Sequence, residues 1–282
     1  MEKNATMING ILYVVATPIG NLADISSRAI STLNHVDVIL AEDTRHSLPL
    51  LRTLGIKKPC LSLHAHNELD KNDQFITMLK DGKKLALISD AGTPLISDPG
   101  FLLVKHAQEF GIQVIPIPGP CALITALSAA GVACDRFMFA GFLPAKQQAR
   151  LNMLQSFHSY DCTVIVYEST HRIIACLDDV ITTYTSHYRI VLAKEITKTY
   201  EHFMHATAID IKEWLLSQPA RLKGEFVLIF PIEPKLIDKK SEEHLLNVLL
   251  DELPLKQAVK LATLLTDIPR NDLYQLALNL RK

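Results

Sequence analysis

No excess of charge marks this chain. Lys plus Arg total 29 and Asp plus Glu 30, a formal net charge of −1 over 282 residues. That balance argues against gross electrostatic capture of nucleic acid and leaves only local charge to act at a site. Cysteine is sparse and unpatterned. Cys60, Cys121, Cys134, Cys162 and Cys176 are odd in number and contain no CxxC pair. A disulfide framework and a zinc site are both disfavoured, and reduced, buried thiols in a cytoplasmic protein are expected. No GxG occurs, so the dinucleotide fingerprint is missing; GxxxxGK[ST], GxSxG and HExxH are missing too. His64-x-His66 lacks carboxylates or cysteines to complete a metal site, so it reads as a polar loop and no metal is expected. Met1–Asn9 is polar and has no long apolar core, unlike a signal peptide. Phe110–Cys134 carries no charge and is long enough to cross a bilayer, but Pro116, Pro118 and Pro120 interrupt it. It reads as strand, loop and helix, and no membrane segment is expected.

What is present is a globular composition, 48% apolar and 21% charged. Short apolar runs alternate with amphipathic stretches through the first half. Strands are expected at 11–16, 36–41, 60–63, 85–88 and 112–115, and helices at 26–34, 47–54, 68–79, 101–110 and 121–130. Such alternation predicts a mostly parallel α/β layer. The pattern breaks near Gly141-Phe142-Leu143-Pro144, which places a boundary there. A second unit over 142–235 mixes strands at 163–167, 189–193, 199–206 and 225–230 with helices at 146–157, 171–183 and 209–217. After a linker over 231–240, a tail within 236–282 carries three helical pieces, at 242–250, 255–265 and 271–280.

In an open parallel sheet, ligands bind beyond the carboxyl ends of the strands. Four strand ends are dense in Gly, Pro, Asp and Thr: Thr17–Asn21, Glu42–Arg45, Ser89–Gly100 and Pro116–Pro120. Each alone is turn chemistry; four on one edge make a ligand cleft. Ser89–Gly100 stands out because its prolines fix φ while its glycines let a ligand approach the backbone. Asp90 and Asp98 give it negative charge suited to a cation or to a turn. Thr125-Ala126, inside the following helix, offers a hydroxyl beside a small residue against which a flat ring could pack.

TPIGN, EDTRH, ISDAGTPLISDPG, PIPGPCALITAL and FAGFLP, in this order, resemble the tetrapyrrole-methylase superfamily of S-adenosylmethionine enzymes. YESTHR (167–172), KEITKTYE (194–201) and GEFVL (224–228) resemble one branch of it, the ribosomal RNA small subunit methyltransferase I family. The resemblance runs from about Leu12 to the C-terminus. It implies a class III α/β methyltransferase of two domains, 1–141 and 142–235, with a helix-turn-helix-like module over 236–282. It further implies a homodimer that methylates the ribose 2′-oxygen of a cytidine in the 16S rRNA decoding centre, on naked RNA or the 30S subunit. Carried over residue by residue, S-adenosylmethionine meets Pro18, Asp90, Ala91, Gly92, Thr93, Pro94, Ile96, Thr125, Ala126, Phe142 and Leu143, with Tyr167 and the Lys194–Glu195 region from the second domain.

A ribose hydroxyl is a poor nucleophile, so some group must accept or direct its proton. Glu42, Asp43, Glu68, Lys194, Glu195 and Lys198 are candidates, with Glu42-Asp43-Thr44-Arg45 ranked first and the 194–198 segment second; a lysine would need a depressed pKa. Local basic excess lies at 45–84, with eight basic and four acidic residues, and at 254–282, with five and two. Arg172 adds a cation at the cleft. Two alternatives share this cleft: a small-molecule tetrapyrrole methylase, and a non-catalytic RNA-binding protein that acts through its tail.

Overall fold

A computed structural model describes residues 10–64, 67–232, 239–266 and 268–280. Met1–Asn9, His66 of the His64-x-His66 pair and most of the 231–240 linker lie outside the described residues. Two compact units emerge, up to Ile232 and from Glu233.

The larger unit opens with β1 (Ile11–Val15), α1 (Ser27–His35), β2 (Val38–Ala41), α2 (Thr44–Thr53), β3 (Cys60–Ser62), α3 (Glu68–Lys80), β4 (Lys84–Ile88), α4 (Phe101–Glu109), β5 (Gln113–Ile117) and α5 (Ala122–Ala129). The five strands form a wholly parallel sheet in the order β3-β2-β4-β1-β5. Burial on both faces explains the unbroken apolar runs of β2 and β4. One face packs Leu12, Leu40, Leu85 and Leu87 against α3 and α4; the other packs Val15, Ile39, Ala86 and Ile88 against α1 and α2. β5 continues through Pro116, two residues beyond the expected end at 115. It is an edge strand, where the missing N–H costs least.

The same unit continues with β6 (Phe137–Phe142), α6 (Gln147–Phe157), β7 (Thr163–Glu168), α7 (Ile173–Thr183), β8 (Arg189–Lys194), β9 (His202–Thr207), α8 (Ala208–Leu216) and β10 (Phe226–Phe230). The second sheet has the order β6-β7-β10-β8-β9. Only β6 and β7 are parallel; β10 runs antiparallel to both β7 and β8, and β9 antiparallel to β8. β6 has no counterpart among the expected strands, and Gly141 lies inside it, so the change of sheet comes between α5 and β6. Phe137–Phe142 shows no alternation because it is half-buried along its length and bulged between Phe139 and Phe142.

The segment that leaves β6 is held by a buried ion pair. The Arg150 guanidinium donates to Asp179 at 2.6 Å and to the carbonyls of Pro144 and Ala145 at 3.2 Å each, while Gln147 Nε2 donates to the other Asp179 oxygen at 2.9 Å. Among the five thiols only Cys176 is buried, and burial pushes it up; Cys134 is exposed in the α5–β6 connection, against the expectation of buried thiols.

The smaller unit contains α9 (Lys239–Glu252), α10 (Leu255–Leu265) and α11 (Arg270–Leu280) around Leu246, Val259, Ala262, Leu273 and Ala277. Pro254 caps α10, where its missing N–H is not needed. Among the described residues no helix is long and apolar enough to cross a membrane.

Asp179→Ala strands the Arg150 charge in the interior. The expected cost is about 3–5 kcal/mol in urea unfolding; a loss under 1 kcal/mol would show that the pair is not the anchor of the Pro144–Ala145 turn.

Candidate active site

Because all five strands of the first sheet are parallel, their carboxyl ends share one edge, and the four expected loops lie along it. They are stitched together. Thr17 N–H donates to Gly92 O at 2.8 Å and Gly92 N–H returns to Thr17 O at 3.1 Å. Thr93 Oγ1 donates to Pro120 O at 3.0 Å, joining the β4 and β5 loops. Within Ser89–Gly100, Leu95 and Ser97 are left-handed, with φ of 73° and 75°. Gly92 is also left-handed and passes close to Ile19, where a Cβ would stand 3.3 Å from its methyl.

The second sheet supplies the opposite wall of a cavity of about 390 Å³. Ala91, Gly92, Thr93, Ile96, Ser97 and Asp98 line it from the β4 loop, and Ile19, Cys121 and Ala122 from the β1 and β5 loops. Phe142, Tyr167, Glu168–His171 and Gly224–Val227 line it from the second sheet. Tyr167 packs edge-on against Phe139 and Phe142, with ring centroids at 4.7 and 5.7 Å. Its hydroxyl accepts a hydrogen bond from Leu123 N–H at 3.0 Å, and burial pushes the phenol far above its ordinary range. Arg172 braces the same wall, bonding Glu168 at 2.9 Å and Leu143 O at 3.0 Å.

Of the residues expected to meet the cofactor, Ala91, Gly92, Thr93, Ile96, Phe142 and Tyr167 line this cavity. Pro18, Asp90, Pro94, Thr125, Ala126 and Leu143 are not on its lining. Asp90 ties the β4 loop to α2, accepting from Asp43 N–H at 3.2 Å and meeting His46 Nδ1 at 3.0 Å. Pro18, Pro94 and Leu143 are buried behind the wall. α5 begins at Ala122, so its first residues face the cavity. One turn later Ala126 packs onto the second sheet, and the Thr125 hydroxyl bonds back to Cys121 O at 2.9 Å.

The proton-handling candidates separate by environment. Asp43 caps α2 through Arg45 N–H at 2.8 Å and pairs with the Arg45 guanidinium at 2.6 Å; that side chain is the chief reason its carboxyl drops to about 2. Glu68 accepts Leu102 N–H at 2.8 Å at the start of α4. Lys198 bridges Glu195 and Glu225, both at 2.8 Å. Burial pulls its ammonium down, but the two carboxylate bonds outweigh burial and raise it, the wrong direction for a base. Glu195 is left-handed, φ 49°; burial favours its neutral form, but Lys198 and the Glu225 N–H prevail and lower it. Lys194 is buried with its ammonium 5.7 Å over the Phe226 ring. Glu42 is raised by burial first and then by Asp90. Asp98, absent from the sequence candidates for proton handling, is raised to about 6 by burial, opposed by the Ser89 hydroxyl and reinforced by Glu42 and Asp90. Glu42, Asp90 and Asp98 thus form an acidic corner, and only Asp98 of the three lines the cavity. Among the described residues no group of three or more His, Cys, Asp or Glu is placed to hold a metal.

Of the second-sheet lining, Phe142 and Tyr167 are among the residues expected from the sequence, and Glu168–His171 and Gly224–Val227 were missed. Ser169–His171 follows β7, where the strand-end rule applies directly. Gly224 and Glu225 precede β10, but β10 runs antiparallel to β7 with Phe226 opposite Glu168, so its start arrives at the same edge.

The tetrapyrrole (corrin/porphyrin) methylase family model matches residues 11–212, and the RsmI C-terminal HTH domain model matches 238–281. The chain is 51% identical over 277 residues to the ribosomal RNA small subunit methyltransferase I of Haemophilus influenzae, covering 97% of this chain and 98% of that protein. It is 46% identical to the protein of that name from Escherichia coli O157:H7, covering 98% of each. Among solved structures, a diphthine synthase superposes with a TM-score of 0.61 at 13% identity, covering 79% of this chain and 90% of that one. A uroporphyrin-III-C-methyltransferase from Thermus thermophilus gives 0.54 at 16%, covering 79% and 94%. At these identities the structures bear on the fold alone.

Tyr167→Phe removes the acceptor for Leu123 N–H and leaves the ring in place. A neutral bond of this kind is worth about 0.5–1.5 kcal/mol, and the unfolding free energy in urea is expected to fall by that amount. An unchanged unfolding free energy would mean that this bond does not hold the seam.

Proposed function

The chain belongs to the tetrapyrrole methylase family and, within it, to the ribosomal RNA small subunit methyltransferase I family, and from that premise we propose that it methylates 16S rRNA with S-adenosylmethionine. The finer reading is transfer to the ribose 2′-oxygen of a cytidine in the decoding centre, by a cytoplasmic homodimer acting on 16S rRNA or the 30S subunit. The observation that carries the proposal is the cavity itself, closed between two sheets and bounded by a stiff Gly- and Pro-rich loop.

The residues present suit this cofactor. About 390 Å³ lies within the range of small-molecule sites. Ile19, Phe142 and Val227 give apolar walls for an adenine, and Gly92 lets a ligand lie against the backbone. Asp98 offers negative charge to a molecule that carries a sulfonium and an ammonium. When bound, S-adenosylmethionine supplies an activated methyl group. The protein's share is alignment, exclusion of water and the proton.

Asp98 is the proton acceptor in this reading. Asp43 and Lys198 are each committed to a partner that favours their charged form. Asp98 is held near 6 by burial beside Glu42 and Asp90, so above that pH it is a carboxylate with a raised affinity for a proton. It accepts the proton released by the ribose hydroxyl as the methyl group is transferred. The same raised pKa makes the corner costly to fold around. Between its unfolded value, near 4, and about 6, the folded state binds the extra proton, so Asp98's contribution to stability declines as pH rises through that window.

Tritiated-methyl transfer to 30S subunits with nuclease mapping of the label tests the activity; label on a porphyrinoid and none on 16S rRNA would overturn it. For the proton, kcat/KM is expected to rise with pH through about 6 and then level. Asp98→Asn is expected to lower transfer about 10²- to 10⁴-fold. A variant that transfers at the wild-type rate would remove Asp98 from this role.

A further inference from the structure

A second cavity, about 600 Å³, lies on the other side of the Lys198 bridge, between the β8–β9 connection and the segment that follows α8. Gly224 lines both cavities, so they are adjacent; Glu195 lines the second and Glu225 the first, and Lys198 joins the two carboxylates.

Three features of this groove point the same way. The first is flat, stacked surface. His202 lies on Trp214 with centroids 4.3 Å apart and planes 9° from parallel, and the Arg221 guanidinium sits 4.5 Å over the same indole. Burial, followed by the charges of Arg221 and Lys194, pushes His202 down and so favours its neutral form. The second feature is Tyr200, an aromatic left 78% exposed on the groove's lip. Its connection is stiff: Glu195 and Thr197 are left-handed, and Thr197 N–H donates to Glu201 Oε2 at 2.6 Å. The third is charge. Lys194, Arg221 and Lys223 line the groove, while both of its carboxylates already hold a donor, Glu195 from Lys198 and Glu201 from Thr197.

We propose that this groove binds a single-stranded RNA segment next to the nucleotide being methylated, with a base stacked on Tyr200 and phosphate held by Arg221 and Lys223. An exposed ring, Tyr200, beside the cations Arg221 and Lys223 matches the alternation of base and phosphate along an unpaired strand, and the His202–Trp214–Arg221 stack is the rigid floor between them. An acidic peptide would use the cations and leave the exposed ring without a partner. The position suits the reaction, since a strand in this groove passes Gly224 into the cofactor cavity. The inference rests on the rRNA reading and deepens it by naming where the substrate strand lies.

The test uses the full chain, 30S subunits and tritiated S-adenosylmethionine, with Tyr200→Ala and Lys223→Ala compared with the unsubstituted protein. Both side chains are exposed, so neither change disturbs the core. Tyr200→Ala is expected to lower kcat/KM about five- to a hundredfold, mainly through KM, with cofactor affinity unchanged. Lys223→Ala is expected to flatten the dependence of log(kcat/KM) on log[salt] by about 0.7, with Lys223→Arg restoring it. If the unsubstituted protein methylates 30S subunits and both alanine variants match it in kcat/KM and salt slope, the groove proposal is overturned. If the unsubstituted protein transfers nothing to 30S subunits or to 16S rRNA, the underlying reading fails first.

Discussion

Helix α5 follows the first sheet in sequence but packs on the second, and the cleft exists because of that misalignment. Leu123, Ala126, Leu127 and Ala130 are buried against Ile165, Val191, Ala193, Val227 and Ile229. The two alanines let the helix lie close to the sheet, and each buried leucine adds about 1.5–3 kcal/mol of apolar stabilisation. Tyr167 completes the seam by accepting Leu123 N–H, one of the four donors that a helix start leaves without a partner. With α5 fixed this way, its first residues, Cys121 and Ala122, have one place to go, the floor of the cavity. The β5 loop, the β4 loop bound to it through Thr93, and the β1 loop bound in turn through Gly92 are then placed by succession.

Backbone strain is concentrated where this succession ends. The four non-glycine residues with positive φ among the described residues are Leu95, Ser97, Glu195 and Thr197, two in the loop after β4 and two in the β8–β9 connection. Each costs about 1–3 kcal/mol and persists only where its surroundings over-determine it. In the β8–β9 connection the surroundings are visible. Lys198 holds Glu195 and Glu225, and its stem lies so close to Gly20 that a Cβ there would stand 2.4 Å from Lys198 Cγ. Lys198 is thus a strut between the β1 loop and the second sheet, which is why its chemistry as a base is closed to it.

Much of the first sheet was legible because parallel strands obey one rule: apolar run, then ligand loop. The loops at Thr17, Glu42, Ser89 and Pro116 were all found by it. The losses have physical reasons. EDTR reads as a catalytic cluster, but Asp43 is the N-cap of α2, and a cap needs the same residue types as a site. Thr125-Ala126 reads as a ring-binding pair because sequence does not say which way a helix turns from its first residue. Phe137–Phe142 failed to read as a strand because a half-buried, bulged edge has no period. Gly224–Glu225 needed the strand order, since only an antiparallel β10 brings its beginning to the end of β7. Asp98 was visible as a charge, but its burial beside two other carboxylates depends on a loop path that local pattern does not encode.

The near-zero charge takes on meaning once charges are assigned to places. Through Gly141 there are 12 basic and 13 acidic residues, and 17 of each afterwards, so neither half is a basic binder. Yet on the second-sheet side of the cleft Glu168 is paired with Arg172 and Glu225 with Lys198, which also holds Glu195, while the acids without a Lys or Arg partner among the described residues, Glu42, Asp90 and Asp98, lie on the first-sheet side. A polyanion therefore cannot be drawn to the cavity by field alone; the acidic corner would repel its phosphates. On the proposed reading it is positioned by contacts to one side, and the groove that sets Arg221 and Lys223, neither in an ion pair among the described residues, beside the exposed Tyr200 ring is on the far side of the Lys198 bridge. On the proposed reading, this division leaves the corner to favour a cationic ligand and accept a proton, and gives phosphate to the groove, where Glu195 and Glu201 each already hold a donor. Unpaired RNA can be recognised by shape, stacking and the ribose hydroxyl, so a net charge of −1 is no obstacle to the proposed substrate.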